Sequence, residues 1–316
     1  MIFKRDFNNL TEDEISLLTS YFEGYDYNSS GHTFIANYIW RNTHHITWEV
    51  IGDYLFLAGL GTTETEEENY FMSFPLTNSG SYNPVTLREA VEIARGRFET
   101  AGKPFEFSLV PESVLDVLKE TYGEEVEIEH IPDDDDYIYL KEDLAKLGGR
   151  KYHQKKNHLN YFKRTYEYEY QELSVDMIEE IRTFIKDINE DKHEETHEDW
   201  QEILRLETIA IDELLEFVGK GLVGGVIRID GKIQAVTIGE FERRDSKKTV
   251  IVHVEKANPE YRGIYQAINN EFVLRLPEET VYVNREEDMG MENLRQTKLS
   301  YRPVMMGRKY AAVFKA

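Results

Sequence analysis

The sequence predicts an α/β fold, of the α+β type with mixed sheets, built as two tandem copies of one unit. Three observations carry this. At 316 residues the chain is long enough for two domains, taking about 150 residues for each. Hydrophobic residues make up 41% and aromatics 12%, enough for two packed cores and against disorder. The same order of elements then runs through both halves, with matching landmarks at one nearly constant offset. The hairpin turns at Gly52 and Asp230 are 178 positions apart, and the strand-to-helix junctions about 176.

In the first half a helix is predicted from Thr11 to Phe22, with Thr11 and Glu14 spaced as a capping box. A hairpin follows, Ile46 to Val50 and Tyr54 to Leu60, turning at Gly52 and Asp53. Tyr70 to Phe74 reads as a strand and Thr86 to Thr100 as a helix. The strand Phe105 to Leu109 runs into a helix near Pro111, whose fixed φ suits a first turn. In the second half, helices are predicted at 175–188 and 199–218. The hairpin Leu222 to Ile229 and Lys232 to Phe241 turns at Asp230 and Gly231. Strand 249–254 leads to helix 261–276, and strand 280–284 to helix 289–300. A meandering hairpin followed by β-α-β-α resembles the GNAT acyltransferase fold. A Rossmann domain would alternate strand and helix from its start. The duplication boundary is expected near Lys141 to Arg150. It gives an N-terminal GNAT-like domain at 1–145 and a C-terminal one at 146–316 that carries the active cleft.

Charge and composition bound the function. The formal charge is -23, a field that repels polyphosphate and argues against broad nucleic-acid wrapping. One island stands apart. Between Leu144 and Thr165 lie seven cations (Lys146, Arg150, Lys151, Lys155, Lys156, Lys163 and Arg164) and no Asp or Glu. Such an island attracts an anion such as a cofactor or RNA phosphate. Alternatively, it is a solvated helix whose cations pair with acidic neighbours. The absence of cysteine excludes disulfides, thiolate metal sites and a cysteine nucleophile. No signal-peptide core and no run of about 20 apolar residues is present, so no membrane span and a cytoplasmic location are expected. Asp133 to Asp136 reads as an acidic solvated turn, and Glu64 to Glu68 as a loop.

Three constellations bear on chemistry. His193, Glu194 and His197 spell H-E-x-x-H, the zinc metalloprotease pattern. Residues 190–199 contain no apolar side chain to bury such a helix, and a third ligand would have to be as distant as Glu213. No metal is therefore expected. Gly148 and Gly149 before the island, and Arg262 and Gly263 at a predicted strand-to-helix junction, give a weak phosphate signal, because a helix N-terminus offers free N–H groups. GNAT enzymes hold the coenzyme A pyrophosphate there with a Q/R-x-x-G-x-G/A pattern. Glu260 to Tyr265 keeps only the central glycine, and Tyr265 would crowd the pyrophosphate. Finally, residues 281–303 concentrate Asn284, Arg285, Glu286, Glu287, Asp288, Arg295, Lys298 and Tyr301 at a strand end. Acyl transfer needs a base for the attacking group and donors for the tetrahedral oxyanion. The structural alternative makes Asp288 a helix cap and pairs Arg295 with Glu292.

Several segments together carry a family resemblance. They are Asp136-Tyr137-Ile138-Tyr139, Leu147 to Asn157 with Asn160 and Phe162, and Glu207 with Ala210-Ile211. Glu255-Lys256-Ala257-Asn258, Arg262 to Gln266 with Ile268-Asn269, and Asn284 to Gly290 with Leu294, Arg295, Lys298, Tyr301 and Pro303 complete the set. Over nearly the whole chain this resembles the soluble relatives of the C-terminal domain of phosphatidylglycerol lysyltransferase. The resemblance implies a tandem GNAT fold like that of Fem-type aminoacyltransferases, and transfer of an acyl or aminoacyl group to an amine or hydroxyl. The donor would be an aminoacyl-tRNA or an acyl-CoA, and the acceptor a small molecule or lipid head group. On this reading Glu255, Glu286, Arg295, Lys298 and Tyr301 are the residues expected in catalysis, though the resemblance alone does not say which of its matched residues do chemistry. Glu255 or Glu286 would be the base, and Lys298 and Arg295 would hold the negative charge. Lys155, Asn157, Asn160, Arg262 and Gly263 would bind the donor, with a local tRNA contact at the basic helix. Glu207, Lys256, Asn258, Asn284 and Asp288 would bind the acceptor. The lysyltransferase's membrane-spanning domain has no counterpart here, so its lipid is not implied. The alternatives are a conventional acyl-CoA N-acyltransferase and a non-catalytic module binding a phosphorylated ligand.

Overall fold

A computed structural model describes residues 2–3, 5–6, 12–24, 29–61, 69–193, 198–242 and 248–315. Thr11 of the expected capping box and residues 64–68 lie outside them. The chain divides into two compact units. The first comprises Met1–Asp136, Glu287–Met291 and Gly307–Ala316; the second comprises Tyr137–Glu286 and Glu292–Met306. The expected boundary at 145/146 thus falls inside the second unit, and the last strand of the chain belongs to the first.

In the first unit the sheet runs Arg5–Asp6, Thr47–Ile51, Tyr54–Gly61, Asn69–Ser73, Glu106–Pro111, Lys309–Phe314, Val126–His130. The hairpin closes with Ile51 opposite Tyr54, around Gly52 at φ +61°, a sign of φ that glycine adopts without penalty. Among the described residues the one parallel pair of this sheet joins Asn69–Ser73 to Glu106–Pro111. Helix Pro84–Thr100 is capped by Asn83, whose side chain accepts from the N–H groups of Val85 and Thr86, and proline opens its first turn. It buries Leu87, Ala90, Val91, Ala94 and Phe98, the 3.6-residue spacing of one apolar face. The chain's last strand is interior to this sheet. Its Phe314 packs edge-on against Tyr122 at 4.9 Å.

The second sheet runs Glu169–Glu172, Leu222–Ile229, Lys232–Phe241, Thr249–Ala257, Tyr282–Asn284, Asp136–Leu140, Met305–Gly307. Here too the hairpin fills the second and third positions, and the parallel pair joins the fourth to the fifth. Position by position this is the order of the first sheet, as a duplicated unit requires, and the expected tandem α/β architecture is present. One feature departs from simple repetition. The sixth position of the second sheet is filled by Asp136–Leu140, and that of the first by Lys309–Phe314. Each repeat lends its final strand to the other sheet.

That exchange overturns the reading of the four-aspartate run as a solvated turn. Pro132–Asp134 is a 3₁₀ turn, but Asp135 and Asp136 are buried. Asp135 accepts the backbone N–H of Lys309 (3.0 Å) and a bond from His130 Nε2 (2.9 Å). Asp136 accepts from Lys309 Nζ (2.7 Å), from the Ser30 hydroxyl (2.8 Å) and from the Ser30 N–H (2.5 Å). A buried carboxylate is tolerable only with such partners. Among the described residues no helix is long and apolar enough to cross a membrane.

Candidate active site in the second unit

Strand Thr249–Ala257 is an almost unbroken apolar run, interrupted by His253 and then by Glu255 and Lys256. Against strand Lys232–Phe241 its register slips: Val252 pairs with Gly239 and Val254 with Ile238. His253 is therefore the extra residue of a β-bulge, a device that re-aims a side chain. Its ring is buried between two carboxylates. Nδ1 donates to Glu286 (2.7 Å) and Nε2 to Glu240 (3.0 Å). A neutral imidazole carries a single N–H and could serve only one of them. Burial works against the charged ring, but both hydrogen bonds and both negative charges favour it, and its pKa rises to about 10.

Glu286 follows the short strand Tyr282–Asn284 in a left-handed conformation, φ +57°, uncommon for a non-glycine residue. Three partners fix it there. The Asn284 side chain accepts its N–H (2.8 Å), Tyr137 N–H donates to its carbonyl (3.1 Å), and Lys298 Nζ donates to the same carbonyl (3.1 Å) and to that of Arg285 (2.7 Å). Strain held this firmly is typical of functional positions. Only Oε1 of the Glu286 carboxylate is engaged by a side chain among the described residues, and the side chain is 26% exposed.

Beside it lies a second buried array. Arg285 Nη2 donates to Glu255 Oε1 (2.8 Å), and Asn269 Nδ2 to Glu255 Oε2 (3.1 Å). The guanidinium lies 5.0 Å from the centre of the Tyr301 ring, and Lys155 Nζ lies 4.3 Å from the same centre. Burial pushes the Tyr301 phenol up to about 12, against the pull of Arg285. At neutral pH it keeps a proton to donate. Lys155 is shifted down, first by burial and then by Arg285, with Glu255 opposing.

Of the residues expected in catalysis, Glu255 and Tyr301 thus meet around Arg285, and Glu286 is the next residue along the chain. Lys298 is also there, but two of its three N–H donors are spent on backbone carbonyls. Those two bonds hold the backbone at the strand end. Arg295 is half-buried on helix Glu292–Ser300, and Glu292, its expected local partner, accepts from Gln296 (2.7 Å). Asn284 is buried and bonds Glu286. Asp288 lies in a segment of the first unit, where it accepts the N–H of Gly290 (2.9 Å) in the turn before that helix. Lys256 donates to Glu207 and, at 3.5 Å, to Asn189. Asn258 bonds Gln234 (3.1 Å) and the N–H of Glu260 (3.0 Å).

The basic island forms helix His153–Thr165 and the turn before it. Three of its seven cations have acid partners after all. Lys146 pairs with Glu142, Lys151 with Asp143 (2.9 Å) and Lys163 with Glu271 (2.9 Å). Arg150, Lys156 and Arg164 are exposed, as are Asn157 and Asn160. Arg262 stacks on Tyr161 at 4.8 Å. Gly263, at φ +92°, packs so closely under this helix that a Cβ would overlap the carbonyl oxygen of His158. Its missing side chain thus serves the contact between two helices, whatever else the junction holds. Tyr265 is half-buried; burial raises its phenol, partly offset by a hydrogen bond from the Ala257 backbone.

His253 and Glu240 escaped the sequence reading, and Asn269 entered it only as part of the family resemblance, without a role. The one legible signal was a lone histidine inside an apolar strand. For the H-E-x-x-H pattern, Glu194 and His197 lie outside the described residues. Among those described, no group of three His, Asp or Glu residues is arranged to hold a metal.

Comparison with known proteins bears on the family and the fold. The family profile described as "Phosphatidylglycerol lysyltransferase, C-terminal" matches residues 22–313. A conserved protein of unknown function from Bacteroides thetaiotaomicron VPI-5482 is 31% identical, with 97% of this chain and 98% of that one covered and a TM-score of 0.81. L-PGS from Bacillus licheniformis is 13% identical, with 96% and 92% covered and a TM-score of 0.63. FemX is 8% identical, with 97% and 96% covered and a TM-score of 0.63. No curated protein matches the sequence.

Proposed function

The chain belongs to the family of the phosphatidylglycerol lysyltransferase C-terminal domain, and from that membership and the buried array we propose that it transfers an aminoacyl group from an aminoacyl-tRNA to an amine or hydroxyl acceptor. The observation that carries the reading is the strained, three-way-pinned Glu286, whose chain neighbour Arg285 lies over the ring of the protonated Tyr301. Glu255 has both oxygens committed to Arg285 and Asn269, so Glu286 is the better base of the two. The acceptor attacks the ester carbonyl and gives its proton to Glu286. Tyr301 donates to the oxyanion that forms. Collapse expels the ribose hydroxyl, which takes the proton back from Glu286. Such a base contributes about 10²–10⁴-fold, and one oxyanion donor about 10²–10³-fold.

The acyl-CoA reading is less favoured. The helix junction that would cradle a pyrophosphate is covered by His158 and Phe162 over Gly263, and Tyr265 stands where a small residue is needed. The test offers labelled aminoacyl-tRNA and labelled acetyl-CoA to the protein with a panel of amines and alcohols. Transfer from the tRNA that falls about 100-fold or more in Glu286→Gln supports the proposal. Turnover of acetyl-CoA with none from tRNA refutes it. Stoichiometric binding without product release favours the ligand-binding module.

A further inference from the structure

Two cations in the second unit lack the partners their burial calls for. Arg285 Nη1 is buried and has no hydrogen-bond partner among the described residues, while Nη2 of the same guanidinium is satisfied by Glu255. A buried donor left without an acceptor is destabilising, more so on a charged group. Lys155 is half-buried, and among the described residues no carboxylate lies within ion-pair distance of its ammonium. Its close neighbour is the Tyr301 ring. Both cations lie near that ring, and the charge of Arg285 acts on Lys155. Glu255 is the one carboxylate bonded in this group, so the local balance is positive by one charge in a chain whose total is -23. Burying surplus positive charge is unfavourable unless an anion completes the set.

We propose that Arg285 Nη1 and Lys155 Nζ form a binding site for a phosphate group of the ligand, beside Tyr301. Arg285 supplies a directed N–H and Lys155 a mobile point charge, the complementary ways in which the two side chains hold phosphate. Lys155 belongs to the same helix as exposed Lys156, and Arg164 lies at its end, so a polyanion can continue from the buried site onto the surface. The acyl-transfer reading above supplies a source for the phosphate, the 3′ end of the donor RNA. The site itself rests on the unpartnered cations.

Pulse acetylation with acetic anhydride, read by peptide mass spectrometry, tests the site without any assumption about activity. Lys156 is the internal control. Lys155, shifted down by burial and Arg285, should label faster than its access alone would give. Inorganic phosphate and AMP should protect Lys155 and leave Lys156 unchanged. Arg285→Gln should weaken AMP binding by about tenfold or more, the loss of one charge-assisted hydrogen bond. Lys155→Gln, on a helix surface, provides the same comparison if the arginine variant does not fold. Protection by AMP but not by coenzyme A assigns the phosphate to nucleic acid; the reverse assigns it to coenzyme A. Either result supports the site. Labelling of Lys155 indifferent to all the phosphates, or AMP affinity unchanged in both variants, overturns it. If protection holds while the transfer assay above fails, the phosphate site stands and the transferase reading falls.

Discussion

Replacing His253 should destabilise the protein by an amount that depends on pH, in a direction fixed by its surroundings. The imidazole titrates at 6.5 in the unfolded chain and at about 10 in the folded one. A group whose folded pKa is raised stabilises the fold fully below its unfolded pKa and loses that contribution as pH climbs through the folded value. Each unit of difference corresponds to about 1.4 kcal/mol. The imidazolium between Glu240 and Glu286 therefore contributes about 5 kcal/mol below pH 6.5, about 4 at pH 7 and about 1 at pH 9. His253→Gln removes the titration and keeps a polar side chain of similar length. Urea unfolding of wild type and variant at pH 7 and pH 9 gives the two differences directly. Costs that do not depend on the imidazolium's charge, such as imperfect packing of the glutamine, cancel between the two pH values. The gap should shrink by about 2–3 kcal/mol from pH 7 to pH 9. A gap of the same size at both values would show that the ring is neutral in the fold. One of its two carboxylate contacts would then need another proton, and the account of Glu286 as a carboxylate held by an imidazolium would fail.

Other perturbations probe neighbouring parts of the argument. Gly263→Ala should destabilise the second unit by about 2–4 kcal/mol, combining overpacking with a left-handed φ that alanine resists; an unchanged urea midpoint would mean that the glycine is not needed for the helix contact. Lys298→Met should cost about 2–3 kcal/mol through two lost charge-assisted bonds, and should abolish transfer by releasing Glu286, with a normal circular dichroism spectrum showing that the fold persists. In the first unit, Lys309→Met should cost about 3–5 kcal/mol, since it strands buried Asp136 without its cation; thermal denaturation would read it, and a loss below about 1 kcal/mol would contradict the pairing. If RNA is the donor, two or three neutralised phosphates give a log–log salt slope of about -1.4 to -2.1, and Lys155→Ala/Lys156→Ala should flatten it by about one unit or more. Coenzyme A should bind weakly under the same conditions.

The repeat was legible because it lies in local pattern. Gly52-Asp53 and Asp230-Gly231 announce hairpin turns, and the strands beside them alternate or run apolar, so order and offset could be read without any contact being known. The exchange of last strands was not legible, because Asp136–Leu140 and Lys309–Phe314 look alike as short apolar strands wherever they pair. What distinguishes them is a long-range ion pair, and Lys309 gives no local sign that its partner is Asp136, 173 residues away. The acidic run was misread for the same reason: composition speaks of solvent, whereas burial depends on what returns to cover it. The site divides along the same line. Residues at the end of strand Tyr282–Asn284 were found because charge is dense there in sequence. Their roles were not, because the role of a cation depends on where its donors end. Lys298 turns inward onto two carbonyls, while Arg285 leaves one nitrogen without an acceptor, and nothing in the local sequence separates them. His253 was visible only as an oddity in an apolar strand. It needed the bulge to aim it and two distant glutamates to charge it. In this fold the sequence marks where polar groups gather, and the cross-strand register decides which of them remain available to a ligand.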